Sequence, residues 1–199
     1  HEIPQAGRAA KGKPIVNLIN VQPDTQIRAV VPVREFGEGQ SLLFCTSDGT
    51  VKKTALSQYA NPRSSGIKAI KIDSGDKLID VQVTNGTNDV VLATKHGLSL
   101  RFHEQDVREM GRDTTGVRGI DLRPGDGVVG MVVVKRDATL LVVTSKGMGK
   151  CSHIGDYRVQ KRGGKGIITV NRTEKTGDVV ALMEVLPEDE IMLITGHGV

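Results

Sequence analysis

The chain has 199 residues, 38% hydrophobic, 25% charged and 3% aromatic, with 27 Lys and Arg against 23 Asp and Glu, a net charge of +4. No apolar run approaches the ~18–20 residues of a membrane span, and the N-terminal His1-Glu2-Ile3-Pro4 does not read as a signal peptide. Five aromatics are too few to line a single-strand nucleic-acid groove with stacking platforms.

In chain order, the first feature is a glycine-containing basic segment, RAAKGKPI (8–15), followed by Asp24 and the apolar run IRAVVPV. Next comes QSLLFCTSDG (40–49), and the same three features then recur. The basic segments are SSGIKAIKI (64–72), TTGVRGIDL (114–122) and KRGGKGIITV (161–170). Asp76 precedes LIDVQVT, Asp126 precedes VVGMVVV, and Asp178 precedes VVALMEV. The run ending in glycine returns as NDVVLATKHG (88–97), ATLLVVTSKG (138–147) and DEIMLITGHG (189–198). Its glycines, Gly49, Gly97, Gly147 and Gly198, are spaced 48, 50 and 51, and the aspartates 52, 50 and 52. Anchored on Lys11, Lys68, Arg118 and Lys165, the basic segments are spaced 57, 50 and 47. Three markers with one period define a repeat of about 50 residues.

The runs are short, rich in Val, Ile and Leu, and bounded by turn residues, which predicts buried strands. Asp48-Gly49, His96-Gly97, Lys146-Gly147 and His197-Gly198 fall where two strands would join, so they predict hairpin tips. No 3.6-residue apolar period persists; His103 to Met110 predicts at most one helical turn or an irregular connection. The fold class is therefore all-β, with four-stranded blades packed one on another; the alternative is a β-sandwich with coincidental spacing. Residues 1–199 read as one domain: a tail of a preceding blade at 1–13, then repeats near 14–68, 69–118, 119–165 and 166–199, the last incomplete. The chain thus reads as a piece of a longer array. Cys45 and Cys151 lie in apolar stretches and read as reduced core residues of a cytosolic protein.

Positive charge follows the repeat. Segments 8–13, 63–71, 108–123 and 158–165 carry a net +11, while the remaining residues carry −7. Arg8, Lys11, Lys13, Arg63, Lys68, Arg112, Arg118, Arg158, Lys161, Arg162 and Lys165 would form a discontinuous positive stripe around a disc. A weaker series follows the hairpin tips: Lys52, Lys53, Arg101 and Lys150. Such a stripe suits duplex DNA lying along a curved edge, held through its phosphates without base reading. Gly163, Gly164 and Gly166 would let main-chain amides approach phosphate oxygens. The alternatives are solvated loop lysines, or a propeller whose basic edge docks an acidic protein.

These residues carry a family resemblance. QKRGGKG, from Gln160 to Gly166, resembles the basic heptapeptide box of the DNA gyrase A subunit's C-terminal domain. AAKGKPIVNLI (9–19), SDGTVKKTALSQY (47–59) and MGRDTTGVRGIDL (110–122) look like successive repeats of that domain. The resemblance implies a β-pinwheel, a six-bladed disc whose blades exchange strands and whose rim wraps DNA for negative supercoiling. In the family the defining box lies in the first blade, whereas residues 160–166 occupy a later repeat. The partners implied are duplex DNA, the gyrase B subunit, with which the holoenzyme forms, plus the N-terminal region of the gyrase A subunit. The location implied is the bacterial cytoplasm, with no membrane. The resemblance also implies ATP and Mg²⁺ elsewhere in the holoenzyme, with no cofactor, metal or catalytic residue in this chain. Topoisomerase IV carries a similar disc and is the alternative within the family.

Catalytic patterns do not emerge. RGGKG followed by Ile167 and Ile168 lacks the Ser or Thr of a nucleotide-binding loop. Tyr59 and Tyr157 align with Val107, which predicts packing at a strand end. His96 and His197 occupy turn positions, and His103 and His153 have no partner at metal-ligand spacing. Asp24, Asp76, Asp126 and Asp178 are expected to accept hydrogen bonds from turn amides.

Overall fold

In the computed structural model, which describes residues 5, 7, 10–12, 14, 19, 25–63 and 65–193, the chain forms three consecutive sheets without any α-helix among those residues. The first sheet is built on a hairpin, β1 (Ser41–Thr46) and β2 (Thr50–Ala55), with β3 (Leu78–Thr84) along the free edge of β1. The second repeats this with β4 (Asp89–Thr94), β5 (Leu98–His103) and, after the two-residue β6 (Val117–Arg118), β7 (Val128–Val134). The third uses β8 (Thr139–Thr144), β9 (Gly149–His153) and β12 (Val179–Val185). The hairpins turn where the sequence places glycine: Gly49, Gly97 and Gly147 have φ of +80°, +86° and +75°. Each donates its amide to the threonine carbonyl three residues earlier, at 3.0 Å.

Strands are exchanged between neighbours. β6 follows the second hairpin yet pairs with β2, closing the first sheet in the order β3-β1-β2-β6. Likewise β10 (Val159–Gln160) and β11 (Ile167–Ile168) follow the third hairpin and pair with β5 of the second sheet. The inner strands β3, β7 and β12 contact one another in sequence, so the opposite edges of the sheets, β2 and β5 with their donated strands, face outward.

The core explains why the runs are continuously apolar. Val90 and Leu92 of β4 pack toward Leu43, Cys45 and Val51 of the first sheet. Val91 and Ala93, pointing the other way, pack toward Leu140, Val142, Val179 and Leu182 of the third. A strand covered on both faces needs no polar alternation. Each such fully buried Leu or Val contributes about 1.5–3 kcal/mol. In the hub, Gln82 of β3 receives Val133 N on its Oε1 at 3.2 Å and donates to Met131 O at 2.9 Å, a side chain completing the ladder to β7.

Three expectations change. IRAVVPV at 27–33 forms no strand, and Val30 is 80% exposed. The inner strand of each sheet pairs with the hairpin that precedes it, and no hairpin precedes 27–33 among the described residues. Ile191 to Leu193 likewise form no strand, while His197 and Gly198 lie outside the described residues. Cys45 is buried as expected, but Cys151 is exposed. It pairs with Leu141 on the face of the third sheet that no further sheet covers among the described residues.

Candidate nucleic-acid interface

The basic segments are locked to the outer edge by glycine. In the first blade Gly116, at φ +121°, sets its Cα against Val51 O, and a Cβ there would lie 2.5 Å from that oxygen. Gly166, at φ +76°, stands in the same relation to Ser99 O, also at 2.5 Å. Gly119 and Thr169 then donate their amides to the carbonyls of the hairpin glycines Gly49 and Gly97. Residues 116–120 and 166–170 are thus equivalent at a spacing of 50. This corrects the alignment of Arg118 with Lys165: the counterpart of Arg118, opposite Thr50, is Ile168, opposite Leu98. Lys165 aligns with Thr115. At Lys165 the charge therefore recurs by segment and not by position.

The segments also touch one another in chain order. Lys71 N donates to Thr114 O, and Lys68 Nζ lies 2.6 Å from Asp113, joining the segment at 63–71 to that at 108–123. Hydrogen bonding to Lys68 holds the Asp113 carboxyl below the usual carboxylate range. Farther along, Gly163 N donates to Gly119 O, and Asp121 N donates to Gly164 O at 2.9 Å, joining 108–123 to 158–165. The glycines of the box-like motif therefore serve this splice. The Gly163 amide is already taken, so it does not offer itself to a phosphate.

Arg63, Lys68, Arg118, Arg158, Lys161 and Lys165 are exposed on this belt, and Arg112 is half-buried beside them. Arg118 makes only a loose pair with Asp121, at 3.7 Å. Arg63, Lys68 and Arg112 converge on a groove of about 600 Å³, shared with Gln58, Asn61 and Asp113. Lys11 is exposed; Arg8, Lys13 and Asp24 lie outside the described residues. The structure adds Arg108, exposed just after buried Val107 and standing 50 residues before Arg158. That spacing, read beside the match of Val107 with Tyr157, was the signal for it.

In the series after the hairpin tips, Lys52, Lys53 and Arg101 are corrections. Lys52 is fully buried, its Nζ donating to Ala69 O at 2.7 Å and to Arg112 O. Lys53 is 7% exposed and donates to Glu104 O at 3.0 Å. Arg101 pairs with Asp89 at 2.7 Å and donates to Ile154 O at 2.8 Å and Tyr157 O at 3.2 Å. Lys53 and Arg101 hold the same position, four residues past the hairpin glycine, and each clamps the 3-10 turn of the next blade (Glu104–Asp106 or Ile154–Asp156). Lys150 donates to Thr169 O at 2.9 Å. Arg162 is also spent internally, on Asp106 O at 2.7 Å and Arg118 O at 3.0 Å. Covered cations must satisfy themselves with carbonyls or a carboxylate, so Lys52, Lys53, Arg101 and Arg162 are not free for DNA, whereas Lys150 is exposed.

Residues read as structural from sequence behave so. Tyr59 and Tyr157 are 8% and 3% exposed, and Val107 is fully buried. Asp76 Oδ1 accepts from Asp48 N at 2.9 Å and Lys77 N at 2.7 Å, and Asp126 Oδ1 accepts from His96 N at 2.9 Å. Burial would raise the Asp76 pKa, but bonds from Thr46, Ser47 and the two amides outweigh it and lower it. Asp178 departs from this pattern, pairing instead with Arg172 and Lys95. His103 and His153 cap the 3-10 turns, accepting from Gln105 N and Gly155 N on their Nδ1. Among the described residues no group of three or more His, Cys, Asp or Glu gathers as a metal site, and no helix is long and apolar enough to cross a membrane.

Strand-exchanged blades with a cationic outer belt define a β-pinwheel, a propeller-like disc. The chain belongs to the DNA gyrase C-terminal domain, beta-propeller, family, whose model matches residues 1–33, 40–85, 88–135 and 138–185. It is 42% identical over 198 residues to the DNA gyrase A subunit of Salmonella typhimurium, covering 100% of this chain and 23% of that protein. It is 45% identical over 199 residues to the DNA gyrase A subunit of Clostridium acetobutylicum, covering 100% and 24%. The chain thus spans about a quarter of the length of these curated relatives. A solved DNA gyrase A C-terminal domain superposes with TM-score 0.83 at 27% identity, over 93% of this chain and 62% of that one. The C-terminal domain of DNA topoisomerase IV superposes with TM-score 0.81 at 28% identity, over 88% and 55%. Fold alone does not separate the two enzymes; both of these relatives by sequence are gyrase.

Proposed function

We propose that this chain binds duplex DNA without sequence preference and bends it along the outer belt, serving negative supercoiling by a gyrase holoenzyme. The observation that carries this reading is the continuity of the belt: three basic segments, each hydrogen-bonded to the next, two of them paired to outer sheet edges through β6 and β10. Duplex DNA presents a phosphate charge every ~1.7 Å of helix axis, so a continuous cationic edge matches it better than isolated patches do. Sequence preference is not called for, since flexible Lys and Arg termini on loops position phosphates and do not read base edges.

In the holoenzyme the disc contributes no catalytic group. The ATP and Mg²⁺ chemistry sits on the B subunit, the DNA-cleaving part on the rest of the A subunit, in the bacterial cytoplasm. The proposed contacts are Arg63, Lys68, Arg108, Arg112, Arg118, Arg158, Lys161 and Lys165. If these engage roughly 6–8 phosphates, affinity for a short duplex falls by about 10³–10⁵ between 50 and 200 mM salt. Titrations with unrelated duplex sequences test this: near-equal affinities and a steep salt slope support it, and a shallow slope overturns it.

A further inference from the structure

Lys52 is the buried charged residue that this reading leaves without a task. It is fully buried, yet no carboxylate lies within ion-pair distance of it among the described residues. Its Nζ sits 5.5 Å from the Phe44 ring centre and donates to two carbonyls. Those carbonyls belong to different basic segments: Ala69 to the first and Arg112 to the second. Tyr59 reinforces the first of them, its hydroxyl donating to Ala69 O at 3.1 Å. Directly outside this junction lies the groove where Arg63 and Lys68 come from one segment and Arg112 from the other.

The middle blade shows what happens without this lysine. Leu100 occupies the position of Lys52, three residues past the hairpin glycine, and is fully buried. There Arg162 reinforces the backbone splice made at Gly163 and Gly164, and its guanidinium is consumed by Asp106 O and Arg118 O. Arg112 is the counterpart of Arg162 at a spacing of 50, and its guanidinium makes no hydrogen bond or ion pair among the described residues. A buried lysine doing the splicing from beneath leaves the arginine above it free.

We infer that Lys52 is a positioning residue: it ties the two segments together from below so that Arg63, Lys68 and Arg112 form one two-sided seat for a backbone phosphate of duplex DNA. This rests on the DNA reading above. Burial lowers the Lys52 pKa to about 8, so the amine is mostly protonated at neutral pH and brings a positive charge beneath the seat. Lys52 itself touches no phosphate, since it has no exposed surface. Of the charged groups on the packed segments, Asp113 favours its charged form and Arg112 opposes it.

The test compares four versions of the full 199-residue chain by salt-dependent binding to a fixed duplex of about 30 base pairs: parent, Lys52→Met, Arg63→Ala/Lys68→Ala, and the triple change. Thermal melts confirm folding, and Lys52→Gln, which keeps N–H donors on a shorter, uncharged side chain, replaces Lys52→Met should the latter not fold. The expected result is a loss of about 10-fold for Lys52→Met, with a log–log salt slope shallower by about 0.9, one phosphate's worth. The triple change then loses no more than about 2-fold beyond Arg63→Ala/Lys68→Ala, because the same seat is already gone. Losses that multiply, or an unchanged slope in Lys52→Met, overturn the inference while leaving DNA binding intact. A parent chain with no salt slope overturns the DNA reading and this inference together.

Discussion

Arg101 separates a clamp from a DNA contact. Replacing it by Met keeps the aliphatic bulk and removes the guanidinium. The structure assigns that group a pair with Asp89 at 2.7 Å and hydrogen bonds to Ile154 O and Tyr157 O. The two partners' side chains are 18% and 17% exposed, so solvent replaces the lost contacts poorly. Charged hydrogen bonds are each worth about 1.5–3 kcal/mol, and removing one partner of a buried pair costs about 3–5. Partial exposure places the present case near the lower end, about 3 kcal/mol. For a domain of this size that lowers Tm by about 6–12 °C. The assay pairs a thermal melt with duplex binding at several salt concentrations. The reasoning requires a large drop in Tm with an unchanged salt slope; an unchanged Tm with a shallower slope would refute it and return Arg101 to the DNA surface.

Further outcomes follow from the same contacts. Gly166→Ala meets both a strained φ and Ser99 O at 2.5 Å, whereas Gly147→Ala meets only the strained φ, with nothing within 4 Å. In urea titrations Gly147→Ala should cost about 1–2 kcal/mol and Gly166→Ala about 1–3 kcal/mol more, with weakened DNA binding only for the latter; equal costs would contradict the docking role of the box-like glycine. A thiol reagent under native conditions should label exposed Cys151 rapidly and leave Cys45, whose pKa burial drives far up, unlabelled until unfolding; mass spectrometry reads the difference. Asp76, held below the ordinary carboxylate range, stabilises the fold above the unfolded Asp pKa and loses that contribution as pH falls through its folded value. The stability gap between the parent and Asp76→Asn should therefore close as pH drops from about 5 toward about 2, and a gap independent of pH would contradict this.

The repeat, the hairpin tips and the inner strands were legible because each has a local signature: an apolar run, an aspartate before it, a glycine at positive φ. The strand exchange was not legible from periodicity, because β6, β10 and β11 are two residues long and carry no pattern; it came only with the family resemblance. The basic segments were misaligned by three residues in one of them, since Lys165 and Arg118 both neighbour a glycine and only the pairing to β2 and β5 distinguishes the registers. Lys52, Lys53 and Arg101 were misread because a count of charges carries no information on burial. A hint was present: Lys52 and Lys53 are consecutive in a strand, so they point to opposite faces, and both faces are covered, Lys53 by the turn of the second blade and Lys52 by the chain at Ala69 and Arg112. Cys151 failed for the converse reason, its apolar neighbourhood being a face that nothing covers among the described residues.

The most direct measurement is the linking number of a relaxed circular DNA closed by a topoisomerase in the presence of the chain. A belt that bends duplex along a continuous path leaves a shift of one sign that grows with protein bound per circle and disappears as salt rises. A distribution identical to that of naked DNA, under conditions where binding is saturated, would contradict the account.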